Sequence, residues 1–269
     1  MYNNAKIQGV VMAKIYKEID FSKYSSVKIG GVIEAEILDE NSEFNGFVVG
    51  GANNLLISPN PPQIGILDDK FDFITLDGDT LKIGAKTKSA KIYNFAKRQN
   101  LANFEFLKNI PGTLGGLITM NAGLMGFEIS QNLLSVRTNK GEFDKDELKF
   151  AYRHSEINGI ILEAKFKVSR GFDATLSEAI AQKRANQPKG ASFGSCFKNP
   201  NGESAGRLIE AVGLKGFRVG NCGFSKIHAN FLINYGDGKF DEAIALINLA
   251  KKRVYKQFGI NLQEEVVIL

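Results

Sequence analysis

The chain has 269 residues, 43% of them hydrophobic and 23% charged, and carries a formal net charge of +5. These values suit a soluble globular protein of one large or two modest domains, and no apolar run approaches the roughly 18 residues of a membrane helix. With two cysteines and two histidines, neither a zinc pattern nor a histidine-rich metal site is present; the lysines are scattered, so a solvated surface or a site for anionic small molecules is favoured over nucleic acid.

The N-terminal stretch MYNNAKIQGVVMAKIYKEID has no basic region leading into an uninterrupted apolar one, so no secretory signal is read and the cytoplasm is the expected location. Val32–Leu38, Gly46–Val49, Phe73–Leu76 and Thr80–Ile83 read as short strands. FVVGGANNLLIS (Phe47–Ser58) is a strand running into a glycine turn and then an apolar segment. Ser89–Asn100 predicts a helix capped by Ser89, with Ile92, Phe95 and Ala96 on one face. IPGTLGGLITMNAG (Ile110–Gly123) is a second glycine loop, stiffened at its entry by Pro111. Ile160–Val168 reads as a strand and Leu176–Asn186 as a helix ended by Pro188. Ser204–Val212 is a helix with Gly213 as C-cap, and Phe231–Asn234 a strand. Asp241–Phe258 is the longest helix, capped by Asp241 and stopped at Gly259. Helices and strands mix without regular alternation, so α+β is expected rather than a doubly wound sheet, with a boundary around Ser169–Ala174.

The two glycine loops contain neither GxxxxGK[ST] nor a GxGxxG with its distant acidic residue. Taken by glycine content alone, each is more often a structural turn; the alternative is a pair of backbone cradles gripping one diphosphate through N–H groups. GASFGSCFKNP (190–200) raises a similar choice: Ser195 and Cys196 read as nucleophile, proton donor or turn residues.

FVVGGANNLLIS, IPGTLGGLITMNAG, YRHS, GSCFKNP and FGINLQEEV occur in this order and at compatible spacings. Together they resemble the UDP-N-acetylenolpyruvoylglucosamine reductase family, from Tyr24 to the C-terminus. The resemblance implies an α+β fold: a vanillyl-alcohol-oxidase (PCMH-type) FAD-binding module of two subdomains over 1–170, split near 58–70. A C-terminal α+β substrate-binding domain over 171–269 would follow, its last residues returning to the active site. FAD would meet Gly50, Gly51, Ala52, Asn53 and Asn54 on one side and Pro111, Gly112, Thr113, Gly115 and Gly116 on the other. Asn121, Ala122 and Gly123 would lie near the flavin end.

The implied reaction reduces an enolpyruvyl sugar nucleotide with NADPH through FAD. Arg153 would hold the substrate carboxylate, Ser195 would donate the proton, and Glu265 would approach the enolpyruvyl group. The usual LEPEV reads LQEEV here, which leaves Glu264 and Glu265 both open as the carboxylate. Arg184, Gln187, Asn199, Lys215, His228 and Asn230 match substrate positions; His154 matches no role, and Cys196 reads as a buried neighbour. No insertion separates YRHS from GSCFKNP, so the chain resembles the shorter subtype that lacks a tyrosine lid; Tyr152 is too close to Arg153 to replace it. A monomer without metal, membrane or nucleic-acid partner is expected. A flavin oxidase of other substrate, or a nucleotide-binding protein without chemistry, would lack GSCFKNP and QEEV or one of Arg153, Ser195 and Glu265.

Overall fold

The computed structural model describes residues 14–184, 187–200 and 202–269. Strand β1 (Tyr16–Asp20) passes through a one-turn helix α1 (Phe21–Tyr24) into β2 (Val32–Leu38). The Asp20 carboxylate accepts from Ser22 N and starts that turn, while Phe21 is sealed beneath it. β3 (Phe47–Val48), β4 (Leu55–Leu56) and β5 (Ile64–Leu67) follow. β1 runs antiparallel to β2; β5 runs parallel to both β2 and β3, giving the order β1-β2-β5-β3. Ile19, Phe21, Ala35, Val49, Ile57 and Ile64 form the core of this first unit.

The second unit contains β6 (Ile74–Asp77), β7 (Thr80–Gly84), α2 (Ser89–Arg98), α3 (Leu114–Thr119), β8 (Gly123–Leu124) and β9 (Phe127–Glu128). It continues through β10 (Leu133–Thr138), β11 (Gly141–Asp144), β12 (Ile161–Lys167) and α4 (Ala174–Lys183). Its antiparallel sheet, in the order β11-β10-β12-β7-β6, alternates inward Leu81 and Ile83 with an outward Lys82. Ile92 and Ala96 of α2 and Leu117 and Ile118 of α3 close over that face. Ser89 does not cap α2: Lys88 holds the N-cap position without a side-chain bond, and Ser89 N donates to Gly112 O instead. Ile180 of α4 is sealed into this same core, so the helix expected at the head of the C-terminal domain packs on the preceding unit.

The third unit holds β13 (Ala191–Ser195), α5 (Ala205–Ala211), β14 (Arg218–Val219), β15 (Cys222–Phe224), β16 (Phe231–Asn234), α6 (Phe240–Phe258) and β17 (Val267–Ile268). Its antiparallel order is β13-β16-β15-β14. Ser204 caps α5, and Gly259 ends α6 in a left-handed conformation at φ 69°. Asp241 is not the cap of α6; the helix begins one residue earlier, and Glu242 accepts from Lys239 N at 3.1 Å. β17 leaves this unit to pair parallel with β4, and Val27, Ile29 and Leu56 join the core built by Phe197, Phe224 and Leu246. The C-terminal tail is thereby laid directly behind the first glycine loop. Among the described residues no helix is long and apolar enough to cross a membrane.

Candidate active site

The first glycine loop leaves β3, where Val49 N still donates to Gly65 O. Beyond that point, none of the described residues accepts from the backbone N–H groups of Gly50, Gly51, Ala52, Asn53 or Asn54. The loop is instead held by its carbonyls: Tyr24 Oη donates to Gly50 O at 2.6 Å, and Ser26 N to Ala52 O at 3.1 Å. Ala52 lies at φ 48°, a left-handed step of the kind found in anion-binding backbone turns.

The second loop is fastened through one carbonyl and two N–H groups to the stretch that leads into α2. Ser89 N donates to Gly112 O, Leu114 N to Thr87 O and Gly115 N to Ala85 O, each at 2.9 Å. The two loops touch. A Cβ on Gly50 would stand 2.2 Å from Thr113 Oγ1, and one on Gly51 3.3 Å from Gly112 Cα. Only glycine permits that approach. Pro111 is exposed at the loop's entry, Gly116 lies within α3, and Ala122 O accepts from Ile129 N at 2.9 Å. Asn121 is buried and donates through Nδ2 to Glu128 Oε2 (2.9 Å) and Ala151 O (3.1 Å). Gly123 O accepts from Arg153 Nη2 at 3.3 Å.

Ala151 and His154 pair across a tight turn and place Tyr152 and Arg153 at its tip. His154 serves that turn through its backbone. Arg153 sits at φ 55°, a conformation disfavoured for any side chain, with its guanidinium 5.0 Å from the Tyr152 ring centre. Its Nε donates to Glu265 Oε1 at 2.9 Å. Both side chains are largely buried, 21% and 17% exposed. Burial pushes the Glu265 carboxyl above the usual carboxylate range, and Arg153 and Lys198 draw it back only in part. Glu264 goes elsewhere, to Lys251 at 2.7 Å. Of the two open carboxylates, Glu265 is the one that meets Arg153.

Ser195 ends β13 beside a bulge in the β13–β16 register, with Gly194 at φ 86°. Such bulges re-aim the side chains that follow them. The next residues run antiparallel to the C-terminal tail: Glu265 N donates to Cys196 O at 2.9 Å and Lys198 N to Gln263 O at 2.9 Å. Ser195 is therefore one residue from the backbone partner of Glu265. Cys196 is fully buried, and burial raises its thiol well above the ordinary range, which leaves no thiolate for attack.

Arg184 donates to Gln187 Oε1 at 2.8 Å and to Asn109 O. Burial, followed by the like charge of Arg153, lowers its pKa, which puts both guanidinium groups in one electrostatic neighbourhood. Asn199, Lys215 and His228 gather around α5. Asn199 Oδ1 accepts from Ala205 N at 3.1 Å, Lys215 pairs with Glu210 at 2.9 Å, and His228 packs so closely that a Cβ on Gly206 would stand 2.9 Å from its Cε1. His228 Nδ1 accepts from Asn230 N, and burial lowers the ring's pKa. Asn230 is a different case. It is buried, accepts from Phe197 N at 3.0 Å and donates to Phe197 O at 2.8 Å, so its amide ties two backbone segments together.

Tyr24, Ser26 and Glu128 support the site and are not singled out by the sequence reading. The first two stand in YSSVKIGG, where that resemblance begins; Glu128 has no local signal at all. A cavity of about 620 Å³ opens at the far end of β4, lined by Lys28, Ser58, Asn234 and Lys239 among others. None of Arg153, Ser195 or Glu265 lines it.

Residues 186–269 match the family described as UDP-N-acetylenolpyruvoylglucosamine reductase, C-terminal domain. Over 256 residues the chain is 55% identical to the UDP-N-acetylenolpyruvoylglucosamine reductase of Campylobacter jejuni (strain RM1221), covering 93% of this chain and 99% of that protein. It is 44% identical over 253 residues to the protein of the same name from Helicobacter pylori (strain J99), covering 93% and 98%. The crystal structure of UDP-N-acetylenolpyruvylglucosamine reductase from Thermus caldophilus matches with a TM-score of 0.83 at 29% identity, over 95% of this chain and 99% of that one. The fold class is thus the expected one, a PCMH-type module with a C-terminal α+β domain.

Proposed function

The chain belongs to the UDP-N-acetylenolpyruvoylglucosamine reductase family of oxidoreductases, and from that premise we propose that it reduces UDP-N-acetylglucosamine enolpyruvate to UDP-N-acetylmuramate with NADPH, in peptidoglycan precursor synthesis. The observation that carries the reading is the Arg153–Glu265 pair, set between two glycine loops that touch each other.

The residues present fit FAD: five consecutive backbone donors of the first loop have no internal acceptor among the described residues, which is the donor set a diphosphate needs. Gly50, Gly51, Ala52, Asn53 and Asn54 would hold it from one side and the 111–116 loop from the other. When bound there, FAD supplies hydride transfer, from NADPH and then to the enolpyruvyl methylene.

Arg153 engages Glu265 through Nε and Gly123 O through one Nη2 hydrogen, which leaves the outer fork of its guanidinium for a substrate carboxylate. A permanently charged fork there stabilises the negative charge that develops as the methylene is reduced. Ser195 gives its hydroxyl proton to the adjacent carbon of the enolate. An alcohol is a weak acid, but an enolate carbon is a strong base, and a cation such as Lys198, whose charge acts on Glu265, would favour the alkoxide left behind. Glu265, held above its ordinary pKa by burial, is poised to share a proton with that centre. Arg184, braced by Gln187, would add a second cation beside Arg153, and Asn199, Lys215 and His228 would receive the sugar nucleotide. The packing of Ile180 on the second unit supports a substrate domain that starts between α4 and β13. A cytoplasmic monomer agrees with this reading.

The test is spectroscopic. The purified protein reconstituted with FAD should bleach anaerobically with NADPH and regain its colour on addition of the enolpyruvyl sugar nucleotide. Ser195→Ala should still bleach and then fail to recover. Equal loss of both halves would remove Ser195 from the donor role.

A further inference from the structure

Three chain segments meet at Glu265. Its N–H donates to Cys196 O at 2.9 Å. Its carbonyl accepts from Asn54 Nδ2 at 2.8 Å. The chain then returns to the same residue, because Val267 N donates to Asn54 O at 3.0 Å. Asn54 thus grips the tail twice, once through its side chain and once through its carbonyl, and its N–H is the last of the loop donors that have no acceptor among the described residues.

We propose that Asn54 is a positioning residue for Glu265: its side-chain amide fastens the carboxylate strand to the first glycine loop, so that loop and carboxylate move as one body. An anion drawn onto the loop's N–H groups then fixes where Glu265 stands against Arg153. The side chain of Asn54 makes no cofactor contact in this assignment; only its backbone N–H does. Removing the amide leaves the Glu265 carbonyl without its donor and frees the tail on the side that faces Arg153, while the nest keeps all five of its N–H groups. The kinetic arm of the test rests on the reductase reading above; the exchange arm does not.

In cofactor-free protein, Asn54→Ala and the isosteric Asn54→Asp should speed amide hydrogen exchange in the 265–269 tail about tenfold while the α6 amides exchange as before. In the FAD-loaded enzyme, Asn54→Ala should keep flavin affinity within about threefold and reduction by NADPH at the wild-type rate, yet slow reoxidation by the enolpyruvyl substrate about 10- to 100-fold. Added to Arg153→Ala, it should cost less than about twofold more, because it acts through that pair. Unchanged exchange in the tail overturns the clamp whatever the cofactor proves to be. Equal losses in flavin affinity and in both half-reactions overturn the positioning role and make Asn54 a cofactor contact. A wild-type protein that binds no flavin overturns the functional reading instead, and the exchange result alone then decides the clamp.

Discussion

Arg153 and Glu265 stand 112 residues apart in sequence, yet Nε donates to Oε1 at 2.9 Å. One partner is at the tip of a turn on the second unit, and the other lies on a tail that has crossed from the third unit to the first. Neither element holds the pair alone, so changes at either end should be felt at the other.

Arg153 occupies a left-handed backbone position at φ 55°. Arg153→Gly and Arg153→Ala both delete the ion pair, so their difference isolates the turn. The glycine variant should be the more stable by about 1 kcal/mol, the reverse of the usual order, because a left-handed conformation costs any L residue about that much. Urea or thermal unfolding reads the difference; an alanine variant of equal or greater stability would mean the turn is unstrained.

Glu265 titrates above the ordinary carboxylate value of 4.5 in the folded protein, chiefly through burial. The folded state therefore binds this proton more tightly than the unfolded chain does. The sign follows: its contribution to stability is fully present below 4.5 and is lost as pH rises through the raised value. Melting temperatures of wild type and Glu265→Gln, taken from acid to neutral pH, should show the wild-type advantage shrinking as pH rises. A constant or growing gap would contradict the assignment.

Gly50→Ala drives a methyl to within 2.2 Å of Thr113 Oγ1. The loops must part, so flavin affinity should drop about tenfold or more, with a lowered melting temperature. Adding Thr113→Ala deletes the clashing oxygen, and the next contact, Thr113 Cβ, lies at an ordinary 3.5 Å. The double variant should regain the melting temperature of Thr113→Ala alone. Absence of rescue would show that glycine is needed there for another reason.

Asn230 satisfies both the N–H and the carbonyl of Phe197, which is itself fully buried. Asn230→Ala should lose about 1–3 kcal/mol of stability, the cost of stranding buried backbone groups. The KM of the folded enzyme for the sugar nucleotide should stay near that of wild type. A raised KM at unchanged denaturation midpoint would restore Asn230 to the substrate contacts.

Much of the local architecture is legible in the residues. Val32–Leu38 and Phe231–Asn234 are strands where their apolar runs begin and end, and the helix closed by Gly259 stops there. Capping was less legible: Ser89 and Asp241 have suitable side chains, but the backbone of Ser89 is taken by Gly112, and α6 starts one residue before Asp241, with Glu242 accepting from the N-cap Lys239 N. Strands of two residues, such as β4 and β17, carry no periodicity and exist only because each finds the other.

The candidate site divides along the same line. Periodicity, turn chemistry and glycine placement act over a few residues, so the sequence alone determines the helices and longer strands, the two backbone loops, and the order of the motifs. Which carboxylate meets Arg153, why Asn54 reaches a carbonyl 211 positions away, and why the Asn230 amide pairs with Phe197 are decided only by tertiary structure. Adjacent residues such as Glu264 and Glu265 are chemically identical in the sequence; they differ only once an antiparallel partner turns one toward Lys251 and the other toward Arg153.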